Sequence, residues 1–265
     1  MTTHYVEQAT VLEALRVVRD PDLGKDIVSL DFVKGLRIDK GEVSFAIELT
    51  TPACPVKEQM HDEAVAAVSR LSGVTKVTVN MTANVRAVAS PAAGRAPIDG
   101  VKNVVAVGAG KGGVGKSTVA VNLALALSSY GGRVGIIDAD VYGPNIPIML
   151  GVSAKLETDG KKIVPAQCHG IPVVSMGFLT QDETPIIWRG PMLHGIVQQF
   201  FREVRWDELD YLVVDMPPGT GDVALSLSQT VPVSGAVIVT TPQVVSLADS
   251  RRAVAMYRKL NVPVL

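Results

Sequence analysis

Two periods of apolar residues alternate along the first third of this chain. Val11, Leu12, Leu15 and Val18 recur at helical spacing, whereas Val43, Phe45, Ile47 and Leu49 alternate with Ser44, Ala46 and Glu48 in the two-residue period of a half-buried strand. The turn-forming run Asp39 to Glu42, DKGE, makes Phe32 to Ile38 the hairpin partner of that strand. Val56, Met60, Ala64, Ala67, Val68 and Leu71 then return to helical spacing, and Val74 to Met81 to alternation. The pattern predicts α-β-β-α-β over residues 1–86, a small α+β domain of a size that folds alone. From Ala87 to Gly100, AVASPAAGRAPIDG, there is no apolar period, and residues 87–100 read as a linker.

Beyond Gly100 the pattern changes. Short, mostly apolar runs recur at Val104 to Val107, Val134 to Ile137, Val173 to Met176, Leu212 to Asp215, Ala236 to Thr240 and Val262 to Leu265, with helical segments between them. Continuous apolarity belongs to strands covered on both faces, as in a parallel sheet flanked by helices. Residues 101–265 are therefore expected to form a doubly wound, mainly parallel α/β domain.

Composition narrows the partners. The formal net charge of −1 gives no electrostatic case for a nucleic-acid or anionic-membrane partner. No apolar run approaches the roughly 20 residues that span a bilayer, and the segment from Met1 to Glu13 has no basic stretch leading into an apolar one, so a cytosolic protein is expected. The two cysteines, Cys54 and Cys168, lie too far apart in sequence for a CxxC knuckle.

The chemistry sits after the strand Val104 to Val107. Gly108-Ala109-Gly110-Lys111-Gly112-Gly113-Val114-Gly115-Lys116-Ser117-Thr118 satisfies GxxxxGK[ST] and leads into the helical stretch Val119 to Leu127. In such a loop, glycines let backbone N–H groups from Gly110 to Thr118 wrap a polyphosphate at a helix N-terminus. Lys116 is expected to reach the β- and γ-phosphate oxygens, Ser117 to ligate Mg²⁺, and Lys111 to add a second cation near the γ-phosphate.

Two acidic segments end predicted strands, where open α/β sheets place their ligands. Tyr211 to Asp215 runs apolar or aromatic residues into an aspartate, the Walker B pattern, so Asp215 is expected to hold Mg²⁺ through its water shell. In Ile136-Ile137-Asp138-Ala139-Asp140, Asp140 is expected to orient the attacking water, and Asp138 either fixes the loop or acts in the chemistry. The loop from Gly219 to Gly221 is placed to sense the γ-phosphate. Together these residues point to a nucleoside triphosphatase.

The loop KGGVGKST, with Lys111 as well as Lys116, resembles the deviant Walker A of the MinD-like ATPases. Within that superfamily DADVYGPNIP (Asp138 to Pro147), WRGPM (Trp188 to Met192) and DMPPGTGD (Asp215 to Asp222) resemble the Mrp/ApbC-type iron-sulfur cluster carrier ATPases. Upstream, DPDLGKDIVSL (Asp20 to Leu30) and LTTPACPVKEQM (Leu49 to Met60) are similar to the small domain often fused ahead of the bacterial carriers.

The resemblance implies a homodimer that binds and hydrolyses ATP, holds a labile iron-sulfur cluster and passes it to apo-proteins. It implies that Lys111 reaches across the dimer to the partner's nucleotide, and that Asp140 and Asp215 take the switch and Walker B roles. The family's CxxC pair follows the strand that begins at Val262, so the expected cluster ligands lie beyond Leu265 and the chain is expected to be cut inside that strand. The choice of ATP over GTP rests on the resemblance alone.

Cys54 is open to two readings, a metal or iron-sulfur ligand before a helix or a buried apolar side chain. Cys168, beside His169 in AQCHG, reads as structural, and Trp188 and Arg189 read as packing or dimer contacts. A spatial-organisation ATPase that binds membrane or DNA is the alternative; it needs a basic amphipathic tail or surface, which does not appear before Leu265. A reductase-like electron-transfer ATPase would need its own cluster cysteines in the loops at the sheet end.

Overall fold

The computed structural model describes residues 6–87, 97–140, 143–179, 190–219 and 233–265. The chain divides into two compact units, Met1–Val85 and Arg86–Leu265.

In the first unit, α1 (Gln8–Leu15), β1 (Val33–Asp39), β2 (Glu42–Leu49), α2 (Lys57–Ser69) and β3 (Lys76–Ala83) follow the order read from the apolar periods. The sheet order is β1-β2-β3; β1 pairs antiparallel with β2, and β3 joins β2 in parallel because α2 provides the crossover. Val43, Phe45, Ile47 and Leu49, the apolar phase of β2, pack with Val11, Leu15, Met60, Ala64 and Val68 from the helices into one buried cluster. Cys54 belongs to that cluster and is 8% exposed.

The second unit is built on a six-stranded sheet. In chain order its elements are β4 (Val101–Ala109), α3 (Lys116–Ser129), β5 (Val134–Asp138), α4 (Ile146–Leu150), the short hairpin β6 (Glu157–Thr158) and β7 (Ile163–Val164), and β8 (Ala166–Cys168). Then follow β9 (Ile171–Ser175), α5 (Gly190–Arg202), β10 (Leu209–Asp215), β11 (Val233–Val239) and α6 (Val244–Lys259). The sheet order is β11-β4-β10-β5-β9-β8, parallel throughout except for the antiparallel pair β8 and β9. The apolar run at Val262 to Leu265 forms one parallel bridge, Val264 to Ala236, beside β11.

Successive residues of the central strands feed opposite cores. Ile137, Val174, Leu212 and Val214 pack with Val197, Phe200 and Phe201 of α5 and Tyr257 of α6. Ile136, Val173, Val213 and Val107 pack on the other face with Ala120, Val121 and Ala124 of α3 and Ile146 and Leu150 of α4. Each such side chain contributes roughly 1.5–3 kcal/mol on burial, so both faces hold the strands in register. Among the described residues, no helix is long and apolar enough to cross a membrane.

Candidate nucleotide site

The strand register brings four positions into one row. Val107 of β4 pairs with Asp215 of β10, Asp215 with Asp138 of β5, and Asp138 with Ser175 of β9. Residues paired in register share a face, and Val107, Ile136, Val173 and Val213 fix that face as the one covered by α3 and α4. Three polar residues are thus buried at the carboxyl ends of adjacent strands, beneath the start of α3. Asp138, Asp215 and Ser175 are all 0% exposed.

The loop between β4 and α3 closes over this row. Gly113 and Gly115 adopt φ of 77° and 94°, the left-handed region that a side chain disfavours. Gly115 caps α3 in this conformation, so the helix begins at Lys116 with its amino end facing the loop. Gly110 is required for a different reason: a Cβ there would collide with the backbone of Asp249 and Ser250 in α6. On the far side, Gly219 donates its N–H to the carbonyl of Ala109 at 2.8 Å, tying the loop after β10 to the end of β4.

Lys116, 7% exposed, points into the row. Its Nζ donates to Asp215 Oδ1 at 2.7 Å and lies 3.4 Å from Asp140 Oδ2. The Ser117 hydroxyl donates to Asp215 Oδ2 at 2.6 Å. Lysine, serine and Walker B aspartate, about a hundred residues apart in sequence, thus meet in one hydrogen-bonded group. Burial pushes the Asp215 carboxyl above its usual range, opposed chiefly by the Lys116 ammonium and by the Ser117 hydroxyl. Asp138 is pushed up to about 7, first by burial and then by the neighbouring charge of Asp215. Bonds from Ser175 and from the amides of Ile146 and Asp140 act in the opposite sense.

Above the group lies a cleft of about 420 Å³, lined by Lys111, Gly112, Gly113, Gly115, Lys116, Ser117, Thr118 and Asp140. Lys111 is half-buried at the cleft and has no ion-pair partner among the described residues. The cleft gathers Lys111, Lys116, Ser117 and Asp140 from the sequence-predicted set, while Asp215 sits just beneath it. It also includes Asn145, Ile148, Met149 and Pro218, which sequence reasoning did not single out. Asn145 and Pro218 do lie within the quoted motifs, and that was the available signal. Asp138 is not part of the cleft lining and bonds instead to neighbouring backbone. Its Oδ1 accepts from the Asp140 amide at 3.2 Å, and its Oδ2 from Ile146 N–H at 3.2 Å and Ser175 Oγ at 2.9 Å.

Several sequence-predicted positions fall elsewhere. Cys54 lies in the core of the first unit, and among the described residues no group of three or more His, Cys, Asp or Glu side chains is placed to hold a metal. Cys168 is half-buried, and its Sγ donates to the carbonyl of Leu150 at 3.3 Å, a structural contact. Residues 88–96 of the linker, Val141 and Tyr142, Trp188 and Arg189, and Thr220, Gly221 and Asp222 lie outside the described residues, so the loop expected to sense the γ-phosphate is seen only as far as Gly219.

Comparison with known proteins joins this geometry to a family. Residues 100–265 match the model of the NUBPL iron-transfer P-loop NTPases, and residues 8–80 match that of an iron-sulfur cluster assembly protein. The chain belongs to this family of iron-transfer P-loop NTPases. An iron-sulfur cluster carrier protein from Synechocystis is 51% identical over 260 residues, covering 96% of this chain and 73% of the relative. A nucleotide-binding protein from Archaeoglobus fulgidus, solved in complex with ADP, is 38% identical, with a TM-score of 0.56 over 63% of this chain and 66% of its own. A MinD cell-division ATPase from Pyrococcus furiosus is 24% identical, with a TM-score of 0.45 over 62% of this chain and 69% of its own. That relation is distant and lends no support to a spatial-organisation role.

Proposed function

We propose that the cleft binds Mg-ATP and hydrolyses it slowly, as the switch of an iron-sulfur cluster carrier that works as a homodimer in the cytosol and delivers its cluster to apo-proteins. The observation that carries this reading is the junction of Lys116, Ser117 and Asp215 under a glycine loop closed by left-handed Gly113 and Gly115. Phosphate oxygens would compete with the Asp215 and Asp140 carboxylates for the Lys116 ammonium, which is already pointed at the helix terminus where anions bind. The Ser117 hydroxyl and the Asp215 carboxylate form a hard-oxygen pair suited to Mg²⁺. When bound, the ion would neutralise charge on the phosphates.

Asp140, at the cleft and within reach of Lys116, is the group we assign to orienting the attacking water. Lys111, with no ion-pair partner among the described residues, is the cation we assign to the partner subunit's nucleotide. Slow turnover suits this architecture because each hydrolysis event resets a conformational state rather than feeding a metabolic flux. The cluster is cargo. Cys54, shut in the core of the first unit, is assigned packing.

Lys116→Ala is expected to abolish measurable Mg-ATP binding in titration calorimetry, and retained hydrolysis by that variant would refute the assignment of the loop. For the carrier role, the protein with whatever follows Leu265 in its reading frame is reconstituted anaerobically with iron and sulfide. Uptake of cluster and nucleotide-dependent transfer to an apo-ferredoxin are expected. A protein that takes up no iron while binding lipid vesicles in its ATP state would favour the spatial-organisation alternative.

A further inference from the structure

Ser175 lies on β9, outside every phosphate motif, yet it touches the site through one intermediary. Its hydroxyl donates to Asp138 Oδ2 at 2.9 Å and accepts from Gly177 N–H at 2.9 Å, so its orientation is fixed from both sides. Asp138 also accepts from two backbone amides, Asp140 N–H and Ile146 N–H, each at 3.2 Å. Asp140, Asn145 at the start of α4, and Ile148 and Met149 within it all line the cleft. Ser175 and Asp138 stand at the buried ends of β9 and β5, and Ile146 is buried at the start of α4, so little water competes for the bonds among them.

We propose that Ser175 is a positioning residue for nucleotide hydrolysis: through Asp138 it sets where Asp140, and with it the start of α4 at Ile146, stands relative to the terminal phosphate. The inference rests on the assignment of the cleft to ATP turnover. Among the described residues Asp138 accepts three hydrogen bonds, two from the amides of Asp140 and Ile146 and one, from Ser175, that reaches it from the neighbouring strand. Without it the carboxylate can turn about its own side-chain bonds and carry both amides with it, while the glycine loop and Lys116, held by other contacts, keep their grip on the nucleotide. Misplacement of a reacting group by an ångström can cost about a hundredfold in rate, so loss of one anchoring bond is expected to lower turnover without lowering affinity.

The test measures three quantities on the chain and on Ser175→Ala and Ser175→Thr: steady-state Mg-ATP hydrolysis, Mg-ADP affinity by calorimetry, and hydrogen exchange of peptides spanning 138–147 and 116–129. In Ser175→Ala, kcat is expected to fall about tenfold while KM and ADP affinity stay within about twofold. Exchange is expected to rise about tenfold across 138–147 and not across 116–129. Ser175→Thr, which keeps the hydroxyl, is expected to recover most of the rate. If kcat in Ser175→Ala is unchanged, or if rate, affinity and protection fall together in both peptides, the hydroxyl serves only the core and the proposal is overturned. A wild-type chain with no turnover would refute the ATPase reading alone. The contrast in exchange between the two peptides would still decide the positioning role. If alanine at 175 prevents folding, Ser175→Cys, which keeps the side-chain shape and weakens the donor, carries the same exchange contrast with the same deciding outcomes.

Discussion

At the scale of single residues the molecule separates two kinds of buried aspartate. Asp138 and Asp215 have carboxyls pushed upward, chiefly by burial, and they sit at the nucleotide end of the sheet. Asp210, at the opposite end of β10, is lowered to about 2: burial raises it, but Arg133 and Lys102 more than compensate. Lys102 donates to Asp210 Oδ1 at 2.9 Å, and the Arg133 backbone amide donates to Oδ2 at 3.1 Å. These bonds tie the starts of β4, β5 and β10 together. The folded pKa of Asp210 lies below the unfolded value of 3.8, so its contribution is present in full above pH 3.8 and is lost as pH falls toward 2. Asp210→Asn is accordingly expected to cost about 1–2 kcal/mol at pH 7, discounted because Arg133 is half-exposed. Urea unfolding of both proteins should show that difference shrinking between pH 3.8 and about 2. A difference that persists at the acid end would mean that the lost stability came from packing and not from charge.

At the scale of elements, the glycine loop is defined by what surrounds it as much as by what it binds. Gly110 passes against the backbone of α6, and Gly112, two residues later, has nothing within 4 Å of where a Cβ would stand. Gly110→Ala must therefore push the loop or the helix aside, at a cost of about 1–3 kcal/mol, and it displaces the amides meant for phosphate. Gly112→Ala is expected to stay within about 0.5 kcal/mol of the parent. Denaturant midpoints and ADP affinities of the two variants check this, and equal effects would sink the assignment of Gly110 to the α6 contact. The GxxxxGK[ST] spacing announced the loop and α3 from the sequence, because strand, glycines and helix are adjacent in the chain. It could not announce α6, whose contact with the loop comes from residues some 140 positions later.

At the scale of the whole molecule, the chain holds two units with separate cores, built from residues up to Val85 and from Arg86 onward. Nucleotide binds the second by our assignment, so it should stabilise that unit alone. Scanning calorimetry with ADP at about a hundred times its dissociation constant is expected to raise one transition by about 2.7 kcal/mol equivalent and to leave the other in place. A uniform shift would mean that the units unfold as one. Residues 1–87 produced separately are expected to unfold in a single cooperative transition.

Short strands β6 to β8 apart, the amino-acid sequence determined the order of the main elements, the mainly parallel character of the large sheet and the glycine loop that leads into α3. Each of these is written in local periods and contiguous motifs: the alternation in Val43 to Leu49, the mostly apolar run Leu212 to Asp215, the loop Gly110 to Thr118. It left Cys54 open between ligand and core; the packing of the first unit buries its side chain among apolar neighbours. It left Asp138 open between loop and chemistry; strand register sets it between Asp215 and Ser175, where it also holds the amides of Asp140 and Ile146. Only when β9, β5, β10 and β4 lie side by side do Ser175, Asp138, Asp215 and Val107 become neighbours, and only α3, laid across that face, brings Lys116 to them. Hydrogen-bonded registry between strands distant in sequence has no local signal, because it is chosen by the fit of two hydrophobic cores against the same sheet.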